Sequence, residues 1–281
     1  MMKWPYQWRV EKVGADPEVF FLDAKNQPVS VEGLLGGTKE EPRQMTGLPI
    51  GFMIQEDNVA AEYNIPPAER EKDFSNSIIR GLKYVEKQAK KHKLKVSFES
   101  AMHFPFEQLA TPHAQRLGCE PDFNVWSKEL NPAPIPPRTL RTAAGHVHVS
   151  WRNPLTESAI LFGRAMDLYL GIPSLLVTRQ NERRKLYGKA GAVRLKDYGV
   201  EYRVLDNYWL PNEKQSAFIF STCFHIANKL NNMQSFLDEE LEFYGDEIQH
   251  TINTHDIDGA LRLMKHFDVS AFPEGNQHAR E

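Results

Sequence analysis

Four stretches of the chain each place two polar or ionisable residues at positions i and i+2: Asp16-Pro17-Glu18, Glu62-Tyr63-Asn64, His146-Val147-His148 with Ser150 beyond it, and Glu201-Tyr202-Arg203. On a β-strand that spacing turns both side chains to the same face. A sheet face packed with carboxylates and imidazoles persists only if its charges are paired or hold metal, because an isolated buried charge costs many kcal/mol. Divalent cations meet that demand. Carboxylate and water oxygens suit Mg²⁺ or Mn²⁺, with imidazole accepted by Mn²⁺, whereas zinc more often recruits cysteine or three histidines. A single such pair marks a solvated strand face more often than a site; four in one chain point to a site.

A second cluster is cationic. Arg179, Arg183, Arg184, Lys185, Lys189, Arg194 and Lys196 are interleaved with Tyr187, Gly188 and Gly191, just before Glu201-Tyr202-Arg203. Guanidinium groups bind phosphate oxygens bidentately, and glycines let the backbone approach a polyphosphate closely. The expected ligand is therefore a nucleotide phosphate; the bland alternatives are a solvated basic loop or a nucleic-acid contact. No G-x-x-x-x-G-K-[ST] and no strand-borne G-x-G-x-x-G occurs, so a P-loop or dinucleotide fold has no support. Lys39, in Gly36-Gly37-Thr38-Lys39, reads as a solvated lysine, with contact to substrate or phosphate as the alternative. His92, His103, His113, His225, His250, His255, His266 and His278 show no strand pairing with acids and read as surface or core residues. Trp126, Tyr208 and Trp209 read as core before they read as walls of a pocket.

The elements that must position these residues follow from periodicity. Residues 13–22 read as a first strand, closed by a turn at 23–26, with 29–31 returning as a hairpin partner. Residues 51–65 carry one or two further strands and stop at Pro66-Pro67. From 73 to 91, Ile78, Ile79, Leu82, Val85 and Ala89 recur at helical spacing with lysines on the other face. Residues 94–98 alternate like a strand, and 111–137, rich in proline and asparagine, form a long ordered loop of the kind that borders sites. Residues 143–151 and 200–205 read as strands, and 156–170 and 216–230 as helices. No repeat or linker divides the chain, so a single α+β domain over 1–281 is expected, with a largely antiparallel sheet and a helical part from about 211 onward.

Composition bounds the function. The 281 residues are 41% hydrophobic and 25% charged, the balance of a folded globular protein. A formal net charge of -3 gives no global field for DNA or an anionic membrane. The most apolar stretch, 159–177, is broken by Arg164, Asp167 and Pro173, so no membrane span is expected. The N-terminus lacks an apolar signal region, and Cys119 and Cys223 make no disulfide framework, which leads to an expected cytoplasmic location.

In order along the chain, these motifs resemble the phage-type COOH-NH2 ligase (amidoligase) type 2 family, related to glutamine synthetase and glutamate-cysteine ligase. Gly14-Ala15-Asp16-Pro17-Glu18 resembles the first-strand acidic pair, and residues 55–64 resemble the strand with a further metal carboxylate. Gly145-His146-Val147-His148-Val149-Ser150 is similar to the family's H-x-H-x-S strand, and residues 198–206 to its late E-x-R strand. Two departures stand out: Asp16 replaces the usual glutamate, and Pro17 removes a ladder N–H, which predicts an edge strand or a bulge.

The resemblance implies a glutamine synthetase-like curved antiparallel sheet with helices on one side and the active site on the other. It also implies ATP-dependent amide or peptide bond formation through an acyl phosphate. Asp16, Glu18, Glu62, His146 and Glu201 would then hold Mg²⁺ or Mn²⁺. His148, Ser150, Arg183, Arg184, Lys189, Arg194, Lys196 and Arg203 would meet nucleotide phosphate, with Arg203 also acting on the transferring phosphoryl. Asp57 or Asn64 would position the amine or the metal shell. Substrates would be a small-molecule or peptide carboxylate and an amine, with neither membrane nor nucleic acid as partner and, if phage-encoded, the host cytoplasm as compartment. Two rival readings remain: a non-catalytic anion or nucleic-acid binding protein on the same sheet, and a metal-dependent hydrolase working without ATP.

Overall fold

The computed structural model describes residues 7–115, 121–132, 135, 137–179 and 182–274. Its spine is strand β1 (Val10–Leu22), followed by the short β2 (Pro28–Val29) and β3 (Arg43–Gln44), then the hairpin β4 (Met53–Asp57) and β5 (Ala60–Asn64). Helix α1 (Glu71–Lys91) leads to β6 (Lys95–Ser97) and β7 (Ala101–His103). The segment expected as a plain loop contains α2 (Pro112–Gln115) and the two-residue strands β8 (Phe123–Asn124) and β9 (Glu129–Leu130). Such short pieces, paired to distant strands, leave no period in the sequence to detect.

Next come β10 (Leu140–Thr142), β11 (Gly145–Trp151), α3 (Thr156–Met166), a π-turn over Asp167–Gly171, α4 (Ile172–Ser174) and α5 (Arg183–Leu186). Strands β12 (Ala192–Lys196) and β13 (Gly199–Tyr202) precede α6 (Glu213–Thr254) and α7 (Ile257–Phe267). Among the described residues, eleven strands form one sheet in the order β3-β4-β5-β1-β11-β13-β12-β8-β9, with β2 and β6 also pairing with β1; β7 and β10 form a separate ribbon. Every pairing is antiparallel. The α+β class with a large antiparallel sheet, expected from the sequence, is what the chain forms.

One sheet face builds the core. Val13, Ala15, Tyr63, Val147, Val149, Val200, Tyr202 and Val193 are buried and alternate with the polar set. Onto this face pack α1, through Phe74, Ile78, Leu82 and Val85, and α3, with α6 lying against both helices. The opposite face carries the i, i+2 residues, so alternation alone separates core from site.

Three local findings differ from expectation. Strand β1 is interior, not an edge: it pairs with β11 up to Pro17 and with β5 from Glu18. Pro17 falls between the Ile65 N–H to Ala15 C=O bond and the Glu18–Glu62 register, where β1 passes from β11 to β5. Helix α6 runs to Thr254, far past 230, with non-helical dihedrals at Met233 (φ -135°, ψ 30°); beyond that kink Leu237, Leu241, Gly245, Ile248 and Ile252 are buried at helical spacing, while Phe236 and Phe243 are exposed. Strand β13 stops at Tyr202. No helix of the described residues is long and apolar enough to cross a membrane.

Candidate functional site

The strand register brings the scattered pairs together. Asp16 lies opposite His146, Glu18 opposite Glu62, and His148 opposite Glu201, which in turn faces Arg194. Directly opposed residues of antiparallel strands share a face with their Cβ atoms about 4.5–5.5 Å apart, so five strands deliver their polar groups to one patch. Asp57 joins from the end of β4, at the tight turn where Asn58 adopts φ 57° and donates from Nδ2 to Asp57 Oδ1 at 2.9 Å.

Two groups of candidate ligand atoms result, each within 4.8 Å of one another: Asp16, His146 and Glu201, and Glu18, Asp57 and Glu62. In the first, His146 Nδ1 is 3.5 Å from Asp16 Oδ1 and 3.8 Å from Glu201 Oε1. The same nitrogen is 3.9 Å from Glu18 Oε1, so the groups adjoin. Glu18 Oε2 accepts the Ala144 N–H at 3.0 Å, which fixes that carboxylate.

Cations surround the first group. Lys196 Nζ is 3.0 Å from Glu201 Oε2, Arg194 Nη1 is 3.5 Å from Glu201 Oε1, and Arg203 Nη1 donates to Glu201 Oε1. Arg203 also reaches His146 Nδ1 at 3.2 Å and, through Nε, Asp122 Oδ1 at 2.7 Å. His148 spans between Asp16 Oδ1, 2.9 Å from Nε2, and the Tyr198 hydroxyl, 2.6 Å from Nδ1.

The electrostatics divide the two groups. Burial acts to raise Asp16 and Glu201, but His148 and His146 outweigh it at Asp16, which lies well below the usual carboxylate range. Arg203, His146 and His148 hold Glu201 at about 2 against burial and Asp16. His146 is depressed to about 4 by burial and by Arg203, while His148 is raised because Asp16 and Glu201 outweigh burial. In the second group no cation compensates fully. Burial and the Asp57 charge push Glu18 up to about 8, and burial, Asp16, Glu18 and Asp57 raise Glu62 strongly. Asp57 is also raised by burial, with Lys39 the largest opposing charge.

The three crowded carboxyls of the second group, two of them buried and Asp57 half-buried, and a buried Asn64 oxygen without a hydrogen-bond partner are what a hard divalent cation would satisfy. The donor set, oxygens plus one imidazole and no cysteine, fits Mg²⁺ or Mn²⁺.

Other sequence candidates lie elsewhere. Ser150 accepts the Lys12 N–H at 3.1 Å and donates to the Lys12 C=O at 3.3 Å, closing the irregularity where β1 shifts register. Arg184, expected at phosphate, instead donates to the Ile252 C=O and Ser174 Oγ, 3.3 Å each, and faces Asp206 at 3.8 Å. Arg183 borders the site cavity, yet its guanidinium binds Asp206 and the Arg203 and Val204 carbonyls. Both arginines are 2–3% exposed and act as supports, because a buried guanidinium must spend its donors nearby. Lys189 is half-buried with its C=O bonded to Ala192 N–H, and among the described residues no hydrogen bond or ion pair joins its side chain to the cluster. Asn64 shares the face of Glu62, half-buried. Trp209 is core, as read from the sequence. Cys223 is a buried free thiol; Cys119 and His278 lie outside the described residues.

Sequence reasoning missed Asp122, Gln55 and Asn207. Asp122 sits in the aperiodic 111–137 stretch, whose one signal was that long loops border sites. Gln55 faces Glu62 in the β4–β5 register and hydrogen-bonds it. Asn207 is fully buried and donates from Nδ2 to the Glu18 C=O at 2.8 Å, holding β1 where it passes from β11 to β5.

No curated protein matches this chain in sequence. Among solved structures, "Apo GmaS without ligand" is similar at 12% identity and a TM-score of 0.41, over 91% of this chain and 68% of that one. "GmaS/ADP complex-Conformation 1" gives 12% and 0.42 over 96% and 72%, and "Crystal structure of novel glutamine synthase homolog" 13% and 0.38 over 91% and 66%. Residues 137–253, the segment bearing β11, β12 and β13 with His146, His148, Arg194, Lys196, Glu201 and Arg203, match the family model of the Phage phiEco32-like COOH.NH2 ligase-type 2.

Proposed function

We propose that the protein is an ATP- and Mg²⁺-dependent carboxylate-amine ligase that forms an amide or peptide bond through an acyl phosphate. The observation that carries this reading is the adjoining pair of acidic groups, Asp16-His146-Glu201 and Glu18-Asp57-Glu62, flanked by Arg203, Arg194 and Lys196 and lying partly in the segment matched to a ligase family. A single catalytic unit over 1–281 is part of the proposal.

In this reading Asp16, His146 and Glu201 hold one divalent ion and Glu18, Glu62 and Asp57 another. Bound there, such ions neutralise charge developing on phosphate oxygens. A substrate carboxylate oxygen attacks the γ-phosphorus of ATP and ADP leaves; the amine then attacks the acyl carbon, and inorganic phosphate leaves. Arg203, fixed by Asp122 and Glu201, supplies a preorganised positive charge beside the transferring phosphoryl. Arg194 and Lys196, partly open on the far side of Glu201, receive the phosphate tail. Asp57, made more basic than an ordinary aspartate by burial, accepts the proton that the attacking amine loses.

The test is a scan of carboxylate and amine pairs for ADP release with Mg²⁺, with Glu201→Gln as control and Mn²⁺ binding followed by electron paramagnetic resonance. Pair-dependent ADP release that the variant lowers by at least about a hundredfold, with weakened Mn²⁺ binding, is expected. ADP release no higher than that of Glu201→Gln for every pair, or turnover of an amide without ATP, would overturn the ligase reading.

A further inference from the structure

Behind the sheet, on its helix side, a buried carboxyl is left unused by the metal and phosphate chemistry. Asp167 opens the π-turn that follows α3 and is fully buried. Its three hydrogen-bond partners are neutral donors: Trp126 Nε1 at 2.7 Å and the Gly191 N–H at 2.6 Å bond Oδ2, and the Tyr202 hydroxyl bonds Oδ1 at 2.8 Å. Burial outweighs these bonds and pushes the carboxyl up to about 7, so the group is a poor source of stability. Three short bonds to one rigid carboxyl nevertheless fix the segments that donate them.

Each donor belongs to a segment that carries part of the site. Trp126 follows Asp122 closely in the chain, and the intervening Val125 N–H bonds the Gly191 C=O at 3.0 Å. Gly191 leads into β12 with Arg194 and Lys196. It adopts φ 78°, and a Cβ there would stand 2.5 Å from Asn124 Oδ1 and 2.6 Å from the Trp126 ring, so glycine alone lets these backbones approach. Tyr202 stands between Glu201 and Arg203, its ring on the core face and their side chains on the other. In front of the sheet the same three segments interlock: Arg203 Nε is 2.7 Å from Asp122 Oδ1, Arg203 Nη1 donates to Glu201 Oε1, and Arg194 Nη1 is 3.5 Å from Glu201 Oε1.

We propose that Asp167 is a positioning residue for this half of the site: from the opposite face of the sheet it sets the spacing of Asp122, Arg194, Glu201 and Arg203, and through Glu201 the affinity for the divalent ion assigned to Asp16, His146 and Glu201. The inference rests on the ligase reading for that ion's part in turnover, whereas the ion's affinity is measured without turnover. Glu18, Asp57 and Glu62 stand on β1, β4 and β5, to which Asp167 makes no hydrogen bond among the described residues, so the ion assigned to them does not depend on it. Metal ligands need placement within about 0.5 Å, and loss of the bonds that support them costs about 10–100-fold in affinity. Alanine at 167 removes all three bonds. Asparagine keeps two of them on its oxygen and turns its NH2 to the Tyr202 hydroxyl oxygen.

The experiment titrates the full chain with Mn²⁺ and reads binding by electron paramagnetic resonance well below the melting temperature. Asp167→Ala is expected to weaken one bound ion by at least about tenfold and to leave the other within about twofold, with the circular dichroism spectrum kept. Asp167→Asn is expected to restore most of the lost affinity, which a role in bulk stability alone does not require. Tyr202→Phe removes only the hydroxyl arm and decides the matter should the alanine variant not fold; it is expected to weaken the same ion about threefold. Unchanged affinity for every ion in the folded variants, equal weakening of both ions, or an asparagine variant no better than alanine overturns the inference. No Mn²⁺ bound by the unmodified protein overturns it together with the metal assignment. The expected Mn²⁺ pattern without ADP release from any pair of substrates keeps the placement and sinks the ligase; ADP release with Mn²⁺ affinity indifferent to residue 167 does the reverse.

Discussion

Glu62 faces Glu18 across the β1–β5 ladder with the half-buried Asp57 close by, where no cation neutralises the three carboxyls fully. Glutamine at 62 keeps the shape but removes a carboxyl whose ionisation burial and its acidic neighbours oppose. Glu62→Gln is therefore expected to raise the melting temperature of the metal-free protein by a few degrees and to lose most of the further rise on adding Mn²⁺, read by thermal unfolding with and without the ion. Asp167 provides a contrasting residue outside the site. It accepts from Trp126 Nε1 at 2.7 Å, Gly191 N–H at 2.6 Å and Tyr202 OH at 2.8 Å, but burial outweighs these and raises it to about 7. With its folded value above the unfolded 3.8, the folded state binds the extra proton between the two, so this group lowers stability as pH climbs from about 4 to about 7. Asp167→Asn is expected to flatten that part of the stability curve, measured by urea unfolding across the interval.

At the scale of elements, α1 and β5 meet where Gly81 leaves room for the Tyr63 ring. A Cβ at 81 would come within 2.6 Å of that ring, and Tyr63 is itself fully buried. Alanine in an exposed helix position stabilises relative to glycine by about 1 kcal/mol, whereas overpacking a core costs about 1–3 kcal/mol. Packing should win here. Gly81→Ala is expected to lower stability by about 1–2 kcal/mol in urea titrations, and since β5 carries Glu62, to weaken Mn²⁺ binding as well. A gain in stability would show that Tyr63 shifts at no cost.

Across the whole molecule, Trp8 ties distant parts of the chain. Its backbone N–H and C=O both bond Asn231 of α6, each at 2.9 Å, and its Nε1 donates to the Ser158 C=O of α3 at 3.1 Å. The ring is 1% exposed. Trp8→Ala is expected to cost about 3–5 kcal/mol, a large share of the roughly 5–15 kcal/mol that holds a protein folded, and to shift the denaturant midpoint without changing the slope. Arg184 works at the same scale, joining α5 to the end of α6 through the Ile252 C=O.

Period-two alternation made much of this legible in the sequence. Asp16, Glu18, Glu62, His146, His148, Glu201 and Arg203 share one sheet face because a strand's side chains alternate, and α1 could be read because Ile78, Leu82, Val85 and Ala89 recur at helical spacing. What pairs with what was hidden. Arg183, Arg184 and Ser150 carry the right chemical groups, but their donors meet backbone carbonyls, Asp206 and the β1 irregularity, partners far away along the chain. Asp122 and Asn207 entered unannounced for the same reason: their roles exist only through contacts with Arg203 and Glu18 that tertiary folding creates. Local periodicity is written residue by residue, whereas the saturation of a buried hydrogen-bonding group depends on which remote atom the fold brings within 3 Å of it.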